Sequence, residues 1–184
     1  IKNLERAGKT AMLIASNGEI KGIIGSADTI KENSKNAVEE LKNNKIDVMM
    51  ITGDNKRTAE AVGKKVGIKS KDIRSEVLPE DKSDAIESIQ NEGNDVMMVG
   101  DGVNDAPALA IAYVGTAIGS VTDVAIEAAD ITLMRDDPLD VVKSIRVSNA
   151  TLQKIKQNLV WALGYNTLMI PLASIGLLQP VLAA

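Results

Sequence analysis

The residues best equipped for chemistry lie in one short stretch, Gly100-Asp101-Gly102-Val103-Asn104-Asp105, directly after the apolar run Val96-Met97-Met98-Val99. Asp101 and Asp105 supply two carboxylates and Asn104 an amide, while the glycines let the backbone turn sharply and bring the acids together. Mg²⁺ is a hard ion that prefers oxygen ligands and keeps several waters, so one or two carboxylates beside a phosphate suffice to hold it. A dinucleotide fingerprint is the nearest competitor, since Gly100 and Gly102 open a G-x-G-x-x-G. It fails at Asp105, where a third glycine belongs and a carboxylate would repel a pyrophosphate. The remaining alternative is an acidic surface turn of an ordinary α/β sheet.

Two further stretches fit a phosphoryl group. Ile51-Thr52-Gly53-Asp54 ends another apolar run. Thr52 offers a hydroxyl to a phosphoryl oxygen, Gly53 leaves room for backbone N–H groups to point inward, and Asp54 caps the following helix or touches a nucleotide. A plain strand-to-helix turn uses the same residue types. In Leu78-Pro79-Glu80-Asp81-Lys82 the lysine falls in the first turn of an expected helix. Cations favour the opposite helix end, so Lys82 makes sense there if it reaches an anion; the alternative is a solvated side chain.

Short apolar runs alternate with amphipathic stretches around these motifs. Strands are expected at 20–25, 48–52, 96–99, 114–118 and 131–134. Helices are expected at 29–43, 56–66, 79–90, 106–110, 123–128 and from Pro138 onward. This alternation predicts a parallel α/β sheet covered on both faces, with ligands beyond the carboxyl ends of the strands. Asn17-Gly18 between the runs 10–15 and 19–24 predicts a hairpin. Asp137-Pro138-Leu139-Asp140 predicts a capped helix start, with Asp137 as N-cap, Pro138 in the first turn and Asp140 near the positive end.

The composition excludes several classes. The 184 residues are 45% hydrophobic and 25% charged, which suits a globular chain. A net charge of −4 and 2% aromatics give neither a basic footprint nor stacking platforms for nucleic acid. With no Cys and no His, disulfides, thiolate metal sites and imidazole chemistry are all absent from this sequence. Ile1 stands where an initiator Met would, which points to a segment of a longer protein.

Charge is unevenly distributed. No Asp, Glu, Lys or Arg occurs from Gln157 to Ala184, and about 20 apolar residues cross a bilayer. Gly164, Pro171 and Gly176 are more common in membrane helices than in soluble ones. Lys143, Arg146, Lys154 and Lys156 suit a cytoplasmic flank. The expectation is a transmembrane helix that continues the helix begun at Pro138; the alternative is a buried helix or hairpin of a soluble domain.

Taken together, Thr52, Lys82 and the Asp101–Asp105 pair occur in an order that resembles the haloacid dehalogenase superfamily. The wording Met50-Ile51-Thr52-Gly53-Asp54-Asn55, Val99-Gly100-Asp101-Gly102-Val103-Asn104-Asp105-Ala106-Pro107-Ala108-Leu109 and Ala117-Ile118-Gly119-Ser120-Val121-Thr122-Asp123-Val124-Ala125 is similar to the phosphorylation domain of P-type ATPases. Ala129-Asp130-Ile131-Thr132-Leu133-Met134 fits the heavy-metal class. In the tail, Trp161-Ala162, Tyr165-Asn166 and Pro171-Leu172-Ala173 resemble the next membrane helix of copper(I) pumps.

This resemblance implies a haloacid-dehalogenase-like Rossmannoid parallel sheet followed by a membrane helix. It implies that Thr52, Gly53, Asp54, Lys82 and Asn104 form the catalytic pocket and that Asp101 and Asp105 hold Mg²⁺. Tyr165 and Asn166 would help form the intramembrane site for the transported metal, and Asp28 would be a hinge-side acid. ATP, monovalent copper or a similar heavy metal, the rest of the pump and the lipid bilayer are the implied partners. The implied location is an integral, plasma-membrane protein with its catalytic part in the cytoplasm. The implied division is a remnant of the nucleotide-binding domain at 1–21, the second part of the phosphorylation domain at 22–142, and a linker and transmembrane helix at 143–184.

The sequence departs from the family in two places. The Asp-Lys-Thr-Gly-Thr motif of the phosphorylated aspartate is absent, so the sheet would lack its nucleophile strand. The Cys-Pro-Cys and His-Pro motifs are absent too. The chain then reads as a piece of a pump, inactive by itself. Two alternatives stand beside it: a non-catalytic remnant or regulatory module that binds Mg²⁺ or a phosphate-bearing partner, and a free-standing phosphatase using Asp28. Within the tail only Met169 offers a sulfur for soft monovalent copper. Met49, Met50, Met97 and Met98 lie in strand runs and read as core packing.

Overall fold

Asn17 and Gly18 both adopt left-handed backbone, with φ of 53° and 80°. This is the geometry that joins two antiparallel strands through a two-residue turn. They link β1 (Thr10–Ser16) to β2 (Glu19–Ser26), as the Asn-Gly pair predicts. The computed structural model describes residues 2–6, 8–26, 29–101, 103–119 and 122–176. Asp28, the expected hinge-side acid, lies outside these residues. A short helix, α1 (Lys2–Arg6), precedes the hairpin and had no sequence signal.

The remaining elements of the first unit alternate as expected. They are α2 (Ser34–Asn43), β3 (Met50–Ile51), α3 (Lys56–Val66), β4 (Ile73–Arg74), α4 (Asp81–Asn91), β5 (Met97–Gly100), α5 (Ala106–Ile111), β6 (Val114–Ile118), α6 (Asp123–Ala128) and β7 (Ile131–Leu133). All the pairings among β3 to β7 are parallel. The helix α3 shows why the pattern is legible. Asn55 accepts the Thr58 N–H at 3.1 Å, and the chain leaves the helix through Gly67 at φ 89°. Thr58, Ala59, Gly63 and Val66 form its buried face. The central strand β6 buries Thr116, Ala117 and Ile118 and packs against α5 and α6, in which Ala108, Leu109 and Ala125 are buried. Full burial of a leucine such as Leu109 contributes about 2 kcal/mol.

Three expectations need correction. The helix expected at 29–43 begins only at Ser34, because Asn33 takes non-helical φ and ψ at its start. The strand expected at 48–52 pairs only at Met50 and Ile51, and its partner β4 is too short to show a period in sequence. The parallel sheet is also in two pieces, β3–β4 and β5–β6–β7. A cleft of about 440 Å³ is lined by Met50 of β3 and Val99 of β5, with Ala37 and Val38 of α2 and Val62 of α3 around it.

The last helix, α7 (Leu139–Ser174), is 36 residues long and continues through Pro171. Its first turn buries Val141 and Val142. The chain divides into two compact units, 1–142 and 143–184. In the second unit Val147, Leu152, Ile155, Val160, Trp161 and Leu168 are all exposed. Among the described residues no helix is long and apolar enough to cross a membrane. The expected transmembrane helix is therefore not found there. Gln157, Asn158 and Asn166 dilute the apolar run within α7, and 177–184 lie outside the description.

Candidate functional site

The site is built at the carboxyl ends of β3 and β5. Asp105 closes the 3₁₀ turn Val103–Asp105 that follows β5 and is buried, with 8% of its surface exposed. A carboxylate placed there needs a partner, because burial of an unpaired charge is expensive. Lys82, in the first turn of α4, supplies it: its Nζ donates to Asp105 Oδ1 at 2.6 Å. Lys82 does reach an anion from the unfavourable end of its helix, and the anion is a side chain of this chain.

Gly100 shapes the same corner. A Cβ built on it would lie 2.7 Å from Asp105 Cβ and 2.8 Å from Asp105 Oδ2. Glycine is needed at position 100 because the Asp105 carboxylate occupies the space any side chain would take. Sequence reading assigned this glycine to a sharp turn; its role is close approach, and nothing in the local pattern signals that. Gly102 lies outside the described residues.

Asp101 and Asn104 are exposed on the same loop. Among the described residues no group of three or more acidic side chains could hold a metal. Two carboxylates are enough for Mg²⁺ when a phosphate and waters complete its shell. Asp101 is open to solvent, and Asp105, four residues further on, is engaged by Lys82 through Oδ1; oxygen donors of this kind are chemically suited to a hard ion.

The turn after β3 is a second polar unit. Thr52 Oγ1 accepts the Asp54 N–H at 3.1 Å and stands 3.2 Å from Asp54 Oδ2. The backbone of Thr52 is held on both sides, its N–H donating to Arg74 O at 2.9 Å and its O accepting from Val77 N–H at 3.1 Å. A Cβ on Gly53 would come no closer than 3.4 Å, to Val77 O, so position 53 tolerates a small side chain. Asp54 is not the cap of α3; Asn55 is. Asp54 and Val99 line the same cleft, which places the end of β3 and the end of β5 on one opening. Tyr165 and Asn166 are adjacent and exposed on α7 in the second unit. As helical neighbours their side chains diverge by about 100°.

Comparison with known proteins fits this arrangement. The haloacid dehalogenase-like hydrolase family matches residues 1–112. Over its whole length the chain is 53% identical to the copper-exporting P-type ATPase of Bacillus subtilis, covering 23% of that protein. It is also 53% identical, over 98% of its length, to 25% of an Enterococcus hirae protein named "Probable copper-importing P-type ATPase A". The chain thus spans about a quarter of the length of the curated relatives it matches. A crystal structure of a zinc-transporting PIB-type ATPase in its E2.Pi state superposes with a TM-score of 0.81 at 36% identity, over 96% of this chain and 29% of that one. With its parallel α/β units, its Lys82–Asp105 pair and these matches, the chain belongs to the haloacid dehalogenase-like hydrolases, and within them it aligns along its whole length with a stretch of heavy-metal P-type ATPases.

Proposed function

We propose that this chain forms the Mg²⁺- and phosphate-handling part of an ATP-driven heavy-metal pump, with monovalent copper as the transported ion. The Lys82–Asp105 pair carries the reading. It puts a cation and a carboxylate together at the carboxyl end of β5, beside the solvent-open Asp101. The relatives named for copper transport at 53% identity support the choice of metal.

In this reading Asp101 and Asp105 hold Mg²⁺, which supplies positive charge against the transferring phosphoryl group. Lys82 adds a fixed cation, and the Thr52 hydroxyl and the Gly53 N–H orient phosphoryl oxygens. Positioning and charge compensation are the main catalytic work in phosphoryl transfer. The phosphorylated aspartate comes from outside this sequence, which has no Asp-Lys-Thr-Gly-Thr motif. The cleft between Met50 and Val99 is where a further parallel strand would complete the sheet and bring that carboxylate to Thr52 and Asp101.

The membrane part of the proposal rests on α7 and the uncharged stretch 157–184. The exposed Trp161, Leu163, Leu168 and Ile170 suit a bilayer, and the match to the zinc-transporting ATPase extends over 96% of the chain. Tyr165 and Asn166 then face a helix bundle and contribute to the metal path, since polar residues at that depth require partners. The catalytic unit lies on the cytoplasmic side, with Lys143, Arg146, Lys154 and Lys156 at the flank.

The test is complementation. The purified chain with Mg²⁺ and acetyl phosphate is expected to gain no acyl phosphate. Mixed with the preceding segment of the Bacillus subtilis relative, it is expected to support phosphorylation of that segment's aspartate. A stable acyl phosphate on the chain itself would overturn the assignment.

A further inference from the structure

The start of α2 is built in an unusual way. Asn33 occupies the position where asparagine normally accepts an N–H from the first turn of its own helix. It makes no such bond. Its Nδ2 donates instead to both carboxylate oxygens of Asp137, at 3.2 and 3.1 Å. Asp137 Oδ1 in turn accepts the Leu139 N–H at 3.0 Å and so caps α7. One carboxylate therefore serves the starts of two helices that are distant in sequence.

The surroundings reinforce this joint. Lys31 pairs with Asp136, the residue next to Asp137. Asp136 lies against Gly119, at φ 87°, where a Cβ would sit 2.8 Å from Asp136 Oδ1. Arg135 grips Asp140 through two bonds of 2.8 and 2.7 Å, and this hydrogen bonding raises the guanidinium pKa further above its usual value. Lys31, Ser34, Pro138 and Val141 all line the cleft between β3 and β5. The chain neighbours of Asn33 and Asp137 thus form part of the wall of that opening.

We infer that Asn33 is a positioning residue for α7: through Asp137 it ties the segment 29–33 to the first turn of α7, so that the two helix starts respond together. Hydrogen bonds to an ionised carboxylate are stronger than neutral ones. The Lys31–Asp136 pair is too exposed to substitute for them, at 37% and 57% side-chain exposure. Without Asn33 the Asp137 carboxylate is free to turn to solvent, and the first turn of α7 loses its most reliable acceptor. The use of this joint to pass motion from the cleft to α7 rests on the pump reading; the joint itself does not.

Hydrogen exchange on the 184-residue chain in detergent tests it. Asn33→Ala is expected to speed exchange at the backbone amides of residues 139–142 by about tenfold, the effect of losing one charge-assisted bond. Lys31→Ala is expected to change the same amides by less than about threefold. Asp137→Asn keeps an oxygen for the Leu139 N–H but loses the charge that holds Asn33. It should therefore reproduce Asn33→Ala, and the double variant should be no worse than either alone. Unchanged exchange at 139–142 in Asn33→Ala, or additive effects in the double variant, would show that the two helix starts are independent and overturn the inference. The measurement needs neither ATP nor metal, so its failure is separable from failure of the pump reading.

Discussion

Lys82 Nζ and Asp105 Oδ1 lie 2.6 Å apart, with side chains 19% and 11% exposed, and join the first turn of α4 to the loop that follows β5. Each depends on the other. Lys82→Ala leaves a buried carboxylate unpaired and is expected to destabilise the fold by about 2 kcal/mol. Denaturant unfolding of this variant beside Lys82→Ala/Asp105→Ala checks it: the double variant should recover part of the loss, since no lone charge remains.

Gly100 and Gly53 offer a matched pair. Gly100→Ala drives a methyl into the Asp105 carboxylate and should cost about 1–3 kcal/mol and displace that side chain. Gly53→Ala meets only Val77 O, at ordinary contact distance, and should cost less than about 1 kcal/mol. Equal destabilisation of the two would show that Gly100 serves the turn rather than the space beside Asp105.

Asn55→Ala removes the cap of α3 and should cost about 1 kcal/mol. Asp54→Ala should leave the α3 cap intact and act on phosphoryl chemistry instead. Thermal unfolding and phosphorylation of each variant separate the two roles.

Much of the fold was legible because the governing signals are local. The bounds of α3, β6 and α6 follow from caps and apolar periodicity, and the hairpin from Asn17-Gly18. The elements that escaped are those whose cause is distant. β4 is two residues long and exists because β3 pairs with it. The late start of α2 reflects Asn33 turning to Asp137. Within the site, the types and spacing of Thr52, Lys82, Asp101 and Asp105 were readable, but the partner of Lys82 and the crowding at Gly100 are three-dimensional facts. The membrane expectation rested on the uncharged length of the tail, its Gly and Pro residues, its basic flank and its resemblance to pump helices; the amides in α7 count against the described helix, and the adjoining apolar residues lie beyond it.

The open cleft makes a further demand on β3 and β5. Their amides facing it are expected to exchange rapidly in the isolated chain. They should become protected when the preceding segment of a relative is added, as strand addition supplies main-chain partners. Val99→Asp, on the edge strand lining the cleft, should leave the isolated chain folded and abolish that protection.

The central claim is that the Asp101 carboxylate holds Mg²⁺ against a phosphoryl group, and phosphoenzyme formation tests it most directly. In a complete pump carrying this sequence, Asp101→Asn should reduce phosphorylation from ATP at least about a hundredfold with unchanged thermal stability, because one formal charge is lost from a hard-cation site. Glu87→Gln, an exposed change on α4, should match the parent. Normal phosphoenzyme levels and normal Mg²⁺ dependence in Asp101→Asn would contradict the account and reduce the loop after β5 to a turn.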